Sequence, residues 1–292
     1  MTAPVLADAL GPRARRRVLV ASVLSGALLV LLAVIAVRRF ADQGELDADQ
    51  WRLLTEWSVI RFLLGGLMIT LRVALVSMAL ALVLGVLLAL GRLARNAPMR
   101  WGTGLFVEFF RGLPVILLIL FCYTGLPRLG LDLPSFWYLV MGLVAYNSAV
   151  LAEIFRAGIL SLDRGQSEAA SAIGLSYWQG MRIVLIPQAA RRMTPALVSQ
   201  LVTLLKDTAL GFIIGFEELL RRANISGIFG NNLLQSYMAA AVLYIVVNFT
   251  LSRLARRLEV RQRRRLGAGT IDVSGVEDLA VVQAQGTGAL TD

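Results

Sequence analysis

Three ionisable residues lie inside long apolar runs of the sequence, where a charge needs a specific reason to be present. Arg72 interrupts an apolar run at 62–90, and the adjacent residues Lys206 and Asp207 interrupt another at 193–216. Charged side chains within a hydrocarbon layer are costly, and they mark ion pairs or binding sites. We therefore expect Arg72 to face a polar cavity or a partner. Arg72 and Lys206 are also the cations that a ligand with carboxylates would need. The alternative for the second run is a Lys206–Asp207 pair that holds two helices together.

Several other kinds of chemistry are excluded by the residue types of the chain. Histidine is absent, which removes histidine-assisted nucleophiles, histidine bases and histidine metal sites. The single cysteine, Cys122, can form neither an internal disulfide nor a cysteine metal site. The single lysine, Lys206, follows "QLVTLL" and so belongs to no P-loop. The sequence therefore predicts no catalytic residue, no metal, no cofactor and no enzymatic activity.

The composition is that of a membrane protein. Hydrophobic residues make up 57% of the 292 residues and charged residues 16%, with a mean hydropathy of +0.71, whereas soluble domains carry about 25% charged residues. The net charge of +10 does not indicate nucleic acid, because the basic residues fall between apolar runs. We expect an all-α polytopic membrane protein with six transmembrane helices, each at least about 20 residues long. The predicted spans are 18–37, 62–90, 105–126, 133–158, 193–216 and 235–257.

The basic residues also predict the orientation of these spans. Arginines at 13 and 15–17 precede the first span, and a basic cluster at 253–265 follows the last one. The positive-inside rule then places both termini of this multi-pass chain in the cytoplasm, with the spans in the cell membrane. The basic cluster also favours contact with anionic membrane lipid. We expect three segments. Residues 1–60 contain the N-terminal cytoplasmic segment, the first helix and an external loop, residues 61–260 form the transmembrane core, and residues 261–292 form a disordered cytoplasmic tail.

A small, glycine-punctuated stretch, "EAASAIGLSYWQGMRIVLIP" at 168–187, separates two of the apolar runs. It reads as two short helices, the first capped by Ser167 and the second by Ser176. Gly174 suits the left-handed position that ends a helix. Such a smooth loop is suited to a groove in another protein, but an ordinary connecting loop is an equal alternative. The first helix is rich in alanine, at Ala169, Ala170 and Ala172.

This stretch resembles the EAA motif of ATP-binding-cassette importer permeases, which reads E-A-A, three residues, Gly, nine residues, then I-x-L-P. Segments such as "FVEFFRGLPVILLILF", "LLKDTALG" and "AVLYIVV" are similar to the polar-amino-acid branch of these permeases. The additional first span resembles the glutamate permeases of actinobacteria. One departure is Asp163, where the branch has proline, and we expect it to loosen the start of the first short helix. The motif positions that match are Glu168, Ala169, Ala170, Gly174 and Pro187.

The resemblance implies a five-helix type I importer core preceded by one extra helix. It makes 161–187 a coupling loop that docks into an ATP-binding-cassette ATPase subunit. It further implies a second permease subunit, a related chain in preference to an identical one, and an extracytoplasmic substrate-binding protein. The implied contacts with the ATPase are Glu168, Ala169, Ala170, Ala172, Gly174 and Leu175.

The resemblance also places Lys206, Asp207 and Thr208 on the translocation path, so that with Arg72 they form the predicted substrate-binding set. Asp207 balances only one of the two cations, and neighbouring residues of a helix point about 100° apart. One cation is left in need of an anion, so glutamate or aspartate fits better as the amino-acid substrate than arginine or lysine. The alternative function is an ion-driven secondary amino-acid transporter, which would leave the coupling loop unexplained.

Two further pairs of opposite charge lie three residues apart, Glu108 with Arg111 and Glu153 with Arg156. Residues at this spacing share one face of a helix. We therefore expect each pair to bond within its own helix, close to the cytoplasmic boundary.

Overall fold

The computed structural model describes residues 11–267, and this part of the chain consists of helices and their connections, without a strand. The prediction of an all-α fold is therefore confirmed. Within residues 11–267, five helical segments are long and apolar enough to cross a membrane, and a bent pair of helices makes six if it counts as one span. The α-helices are α1 (Pro12–Asp42), α2 (Ala48–Arg52), α3 (Trp57–Arg92), α4 (Ala97–Gly112), α5 (Val115–Gly125), α6 (Ser135–Leu160), α7 (Arg164–Ala172), α8 (Tyr177–Gly180), α9 (Ile186–Asp207), α10 (Leu219–Gly230) and α11 (Leu233–Gly267).

The chain divides into two compact units. Among the described residues, the smaller unit contains those up to Phe62 together with Ala223–Ala239, and the larger unit contains Leu63–Arg222 and those from Ala240 onward. The larger unit holds both sets of predicted site residues, so most of the functional description concerns it.

In the larger unit, α3 and α6 run parallel to each other. Arg72 of α3 lies against Phe136 in the first turn of α6, and Arg92 at the end of α3 reaches Glu153 near the end of α6. Between these points Gly85 allows close approach, because a Cβ there would lie 2.8 Å from the Cβ of Leu151. Parallel neighbours require the intervening chain to return to the other end of the pair.

That return is made by α4 and α5, which the sequence predicts as a single span over 105–126. The structure breaks this span at Leu113–Pro114, where the two helices meet at 99°. Proline disfavours helical geometry in the residue before it and removes a helical hydrogen bond. Hydropathy alone does not register such a break. Because α3 and α6 are parallel, the bent pair carries the chain across once, and the count of six predicted spans is retained.

The segment α9 runs antiparallel to α6 and ends where the predicted span would continue. A π-helical turn at Met181–Leu185 joins α8 to α9, so the helical path begins well before the predicted start at 193. The α-helix stops at Asp207, and a 3₁₀ segment, Thr208–Ile214, continues to the left-handed Gly215. Lys206 and Asp207 therefore lie at the end of an α-helix and not within one.

In the smaller unit, α1 forms the first predicted span, and its apolar window is entirely exposed. Polar side chains at the start of α11 hold the loop after α1. The amide of Gln235 donates to the backbone oxygen of Glu45 at 2.6 Å, and that of Asn232 donates to the oxygen of Gln50 at 3.1 Å. At its other end α11 extends to Gly267, and the rest of the predicted tail lies outside the described residues.

Candidate functional site

Arg72 occupies an exposed position on α3, and its guanidinium carbon lies 5.5 Å from the ring centroid of Phe136. The sequence places Arg72 about 15 Å deep in its span. In the structure it is level with the first turn of α6, where the ring centroid of Phe136 lies 6.3 Å from that of Phe216. Arg72 is therefore close to the end of the helical core at which α6 begins. A cation over an aromatic face is stabilised by the ring quadrupole, and the rest of the guanidinium stays available to a ligand.

Lys206, Asp207 and Thr208 form the end of α9 and the start of the 3₁₀ segment. Lys206 is exposed, Asp207 is half-buried, and Thr208 is fully buried with its hydroxyl donating to the backbone oxygen of Leu205 at 2.6 Å. Within residues 11–267, neither Lys206 nor Asp207 has an opposite charge within 4.0 Å. The described residues therefore contain no Lys206–Asp207 pair that joins two helices.

Glu218 fixes the interrupted segment that follows these residues, and the sequence gives no prediction for it. Its side chain is fully buried and accepts hydrogen bonds from the backbone nitrogens of Leu220 and Arg221 at 2.9 and 2.8 Å, so that it caps α10. It also accepts one from the hydroxyl of Tyr244 on α11 at 2.8 Å. Burial raises the pKa of the Glu218 carboxyl, although the bonds from Leu220 and Tyr244 act in the opposite direction.

The same cluster reaches α3. The backbone nitrogen of Leu219, the first residue of α10, donates to the buried hydroxyl of Thr70 at 3.1 Å. A Cβ on Gly66 would lie only 3.0 Å from the Cα of Leu219, so α3 and α10 approach closely. A missed signal for this cluster is the Glu217–Glu218 pair directly before a helix-forming run, since acceptors favour the N-cap position.

The predicted coupling loop forms two short helices, α7 and α8. The first begins earlier than predicted, because the cap is Asp163, whose carboxylate accepts from the nitrogen of Gly165 at 2.8 Å. The expectation that Asp163 loosens this start is therefore wrong, as is the assignment of the cap to Ser167, which lies inside α7. Gly174 ends α7 in the left-handed conformation, with a φ of 81°, as predicted. Ser176 occupies the predicted cap position of α8.

The loop buries one of its predicted contact residues and exposes several apolar ones. Ala170 is 5% exposed and packs towards Gly180, where a Cβ would lie 3.4 Å from the Cβ of Ala170. Leu175 is half-buried. Glu168, Ala169, Ala172 and Gly174 are exposed. The large apolar side chains exposed on this loop and beside it are Leu160, Ile173, Tyr177, Trp178, Ile183 and Ile186.

The charged residues near the loop pair differently from the prediction in one of two cases. Glu153 binds Arg156 within α6 at 2.5 Å, as predicted. Glu108 pairs with Arg92 of α3 at 3.5 Å and not with Arg111. Arg92 also binds Glu153 at 2.8 Å. The spacing of residues along one helix predicts only pairs within that helix. It therefore does not predict that Arg92 of α3 contacts both α4 and α6.

The comparisons with known proteins cover the part of the chain that contains the coupling loop and Lys206. Residues 81–264 match the family described as "Binding-protein-dependent transport system inner membrane component". The glutamate transport system permease protein GluD of Corynebacterium glutamicum is 41% identical over 234 residues, which cover 78% of this chain and 84% of the relative. A probable glutamine ABC transporter permease protein, GlnP of Bacillus subtilis, is 39% identical over 206 residues. The match covers 70% of this chain and 94% of the relative.

A solved structure shows the same architecture. It is described as an amino acid ABC transporter with histidines, and its matching chain is 32% identical with a TM-score of 0.68. The match covers 72% of this chain and 98% of that one. The part of this chain outside the match is therefore additional to the shared permease architecture. The chain belongs to the family of inner membrane components of binding-protein-dependent transport systems, as a permease subunit of the amino-acid ABC importer type.

Proposed function

We propose that this permease subunit imports glutamate, or another acidic amino acid, through a path lined by Lys206 and Arg72. The observation that carries the substrate class is the exposed Lys206 at the end of α9, with no carboxylate within 4.0 Å in the part of the chain described. A cation without a fixed partner favours an anionic ligand. The name of the relative GluD, a glutamate permease, supports the same choice.

In this proposal Lys206 binds the α-carboxylate that all amino acids share, and Arg72 binds the side-chain carboxylate of an acidic substrate. The adjacent residues Asp207 and Thr208 complete the proposed substrate set, and the buried Thr208 hydroxyl is held by the backbone oxygen of Leu205. Arg72, near the start of α6, meets the substrate before Lys206 if the substrate enters from that end. The interrupted helix supports this arrangement, since substrate sites of membrane transporters are commonly built where helices break.

The coupling loop is proposed to dock into the ATPase subunit. Its exposed motif residues, Glu168, Ala169, Ala172 and Gly174, supply a smooth surface, and the exposed Ile173 and Trp178 supply apolar area. The buried Ala170 packs beneath this surface, and the half-buried Leu175 lies at its edge. Exposed apolar residues on a small loop favour a protein partner. Closure of the ATPases on ATP would then move the loop and change the side to which the pore opens.

The remaining subunits and the placement in the cell membrane complete the proposal. A second permease subunit, a related chain in preference to an identical one, forms the other half of the pore, and an extracytoplasmic substrate-binding protein delivers the amino acid. Both termini lie in the cytoplasm, as the arginines in the first turns of α1 and in the last turns of α11 favour. The segment 1–60 then adds an anchor helix to the permease core at 61–260, and the tail from 261 stays on the cytoplasmic side. This subunit itself performs no chemistry on the substrate.

Copurification tests the assembly. The tagged chain is expressed with the ATPase and permease encoded in the same cells, and the purified complex is assayed for ATP hydrolysis with and without substrate-loaded binding protein. We expect an ATPase to copurify and its activity to rise with loaded binding protein. A chain that carries amino acids across the membrane with an ion gradient and without an ATPase would instead be a secondary transporter.

A further inference from the structure

The end of α3 and the end of α6 are joined by a charged side chain that crosses between helices. Arg92, the last residue of α3, binds the carboxylate of Glu153 on α6 at 2.8 Å. The same carboxylate binds Arg156, one turn further along α6. Glu153 therefore has two cationic partners, of which one lies in its own helix and the other ties α6 to α3.

Burial separates the strong contact in this cluster from the weak one. The side chains of Arg92 and Glu153 are 17% and 23% exposed, so solvent screens their attraction only in part. The contact from Arg92 to Glu108 of α4 is longer, at 3.5 Å, and Glu108 is 67% exposed. Exposed ion pairs contribute little, so the bond between α3 and α6 is the one that constrains the helices.

The residues directly after Arg92 contact the coupling loop. The hydroxyl of Tyr177, the first residue of α8, donates to the backbone oxygen of Leu93 at 3.4 Å. The guanidinium carbon of Arg95 lies 5.0 Å from the ring centroid of the same tyrosine. One end of α3 therefore touches both the loop and α6.

Movement of the loop can reach the pore helices by two routes. The first is covalent, since α6 leads into α7 through Ser161–Asp163. The second passes from Tyr177 to the end of α3. If the two helices were free to slide, a displaced loop would move α6 and leave α3 behind, because only α6 is bonded to it covalently.

We propose that Arg92 is a positioning residue for energy coupling, which locks α3 to α6 so that the loop moves both helices together. This inference rests on the proposed docking of the loop into an ATPase. Arg92 touches neither substrate nor nucleotide, and its role is to transmit displacement. Tyr177 is the loop-side contact of the same route.

Arg156 provides the matched control. Arg92→Gln and Arg156→Gln each remove one cation from the same carboxylate, and both side chains are less than a third exposed. Only Arg92 crosses between helices. A simple electrostatic or stability role would make the two variants alike, whereas a transmission role separates them.

The experiment compares these variants in the complete complex, reconstituted in proteoliposomes with its ATPase and substrate-binding protein. The readouts are amino acid transported per ATP hydrolysed, stimulation of hydrolysis by loaded binding protein, and the thermal midpoint of the complex. Arg92→Gln should lower transport per ATP by roughly fivefold or more, in the range of coupling between linked sites, while hydrolysis continues. Arg156→Gln should stay within about twofold of the unmodified chain, because Glu153 keeps its contact with Arg92 and the two helices stay joined.

Tyr177→Ala gives a second test at a surface position, for the case in which Arg92→Gln does not assemble. It should also lower transport per ATP, and the double variant should be no worse than Arg92→Gln alone, because both changes interrupt one route. Equal coupling in Arg92→Gln and Arg156→Gln, normal coupling in Tyr177→Ala, or a lower thermal midpoint with unchanged coupling would overturn the inference. Absence of stimulated hydrolysis in the unmodified complex would instead refute the proposed function.

Discussion

The hydroxyl of Tyr244 on α11 donates a 2.8 Å hydrogen bond to the fully buried carboxylate of Glu218, which caps the first turn of α10. The carboxylate thus joins two helices at the point where the chain leaves the interrupted segment after Thr208. Buried charges are tolerated only with such partners. The pair therefore holds the segment that follows the proposed substrate residues.

Removal of the Tyr244 hydroxyl should destabilise the subunit measurably. Tyr244→Phe deletes one hydrogen bond to a carboxylate and should cost about 1.5–3 kcal/mol. The measurement is the free energy of unfolding or the thermal midpoint of the purified complex. The control is Tyr237→Phe, which deletes a hydroxyl that accepts from the amide of Asn224 at 2.9 Å and should cost about 0.5–1.5 kcal/mol. Equal effects would show that the carboxylate at 218 is not the important partner.

Gly174→Val should stop transport and leave the subunit in the membrane. Valine strongly disfavours the positive φ of 81° at this position, although a Cβ there meets no atom within 4 Å. Asparagine tolerates this conformation, so Gly174→Asn should retain most transport. Gly130 has a φ of 82° and equally open space, so Gly130→Val applies the same backbone strain away from the coupling loop. Transport-coupled ATPase activity that is normal in Gly174→Val would refute the docking role.

The proposed orientation predicts which cysteines react from outside intact cells. In a Cys122→Ser background, Asp49→Cys should label with an impermeant thiol reagent, because the segment between α1 and α3 lies outside. Ala97→Cys, at the start of α4, should be protected until the cells are opened. Both positions are exposed in the structure, so burial does not explain a difference. The reverse labelling pattern would require the opposite orientation.

Hydropathy predicts the spans well because a chain in lipid must satisfy its backbone within helices. It fails at Pro114, since the residues on both sides remain apolar while the helix direction changes by 99°. Hydropathy also misses the end of α9 at Asp207, because the 3₁₀ segment that follows is mainly apolar. Side-chain bonds between helices, such as that of Arg92 with Glu153, depend on which helices pack together. The spacing of residues along the sequence does not predict that packing.

The coupling loop shows which part of a site is local enough to predict. The left-handed Gly174 and the cap at Ser176 follow from residue type, and both are present. The start of α7 is also predictable from the sequence, because aspartate is among the preferred N-cap residues and Asp163 caps this helix. A family pattern with proline at that position favoured the wrong reading. The burial of Ala170 depends on the packing of α7 against Gly180 and has no local signal.

Neutralisation of the two proposed substrate cations should separate their roles. Arg72→Gln should reduce glutamate uptake by roughly tenfold, as expected for loss of one charge-assisted bond, and should affect glutamine much less. Lys206→Gln should impair both substrates, because the α-carboxylate is common to them. Arg128→Gln removes an exposed arginine elsewhere and should leave uptake unchanged. Equal losses for glutamate and glutamine in Arg72→Gln would remove Arg72 from the substrate site.

Competition for uptake tests the substrate assignment most directly. Labelled glutamate is offered to proteoliposomes that contain the complete complex, with and without ATP, in the presence of unlabelled glutamate, aspartate, glutamine, arginine or histidine. The account predicts ATP-dependent uptake that unlabelled glutamate suppresses most strongly and that arginine and histidine leave unchanged. Uptake that arginine or histidine suppresses best would contradict the account and make Arg72 and Lys206 structural residues.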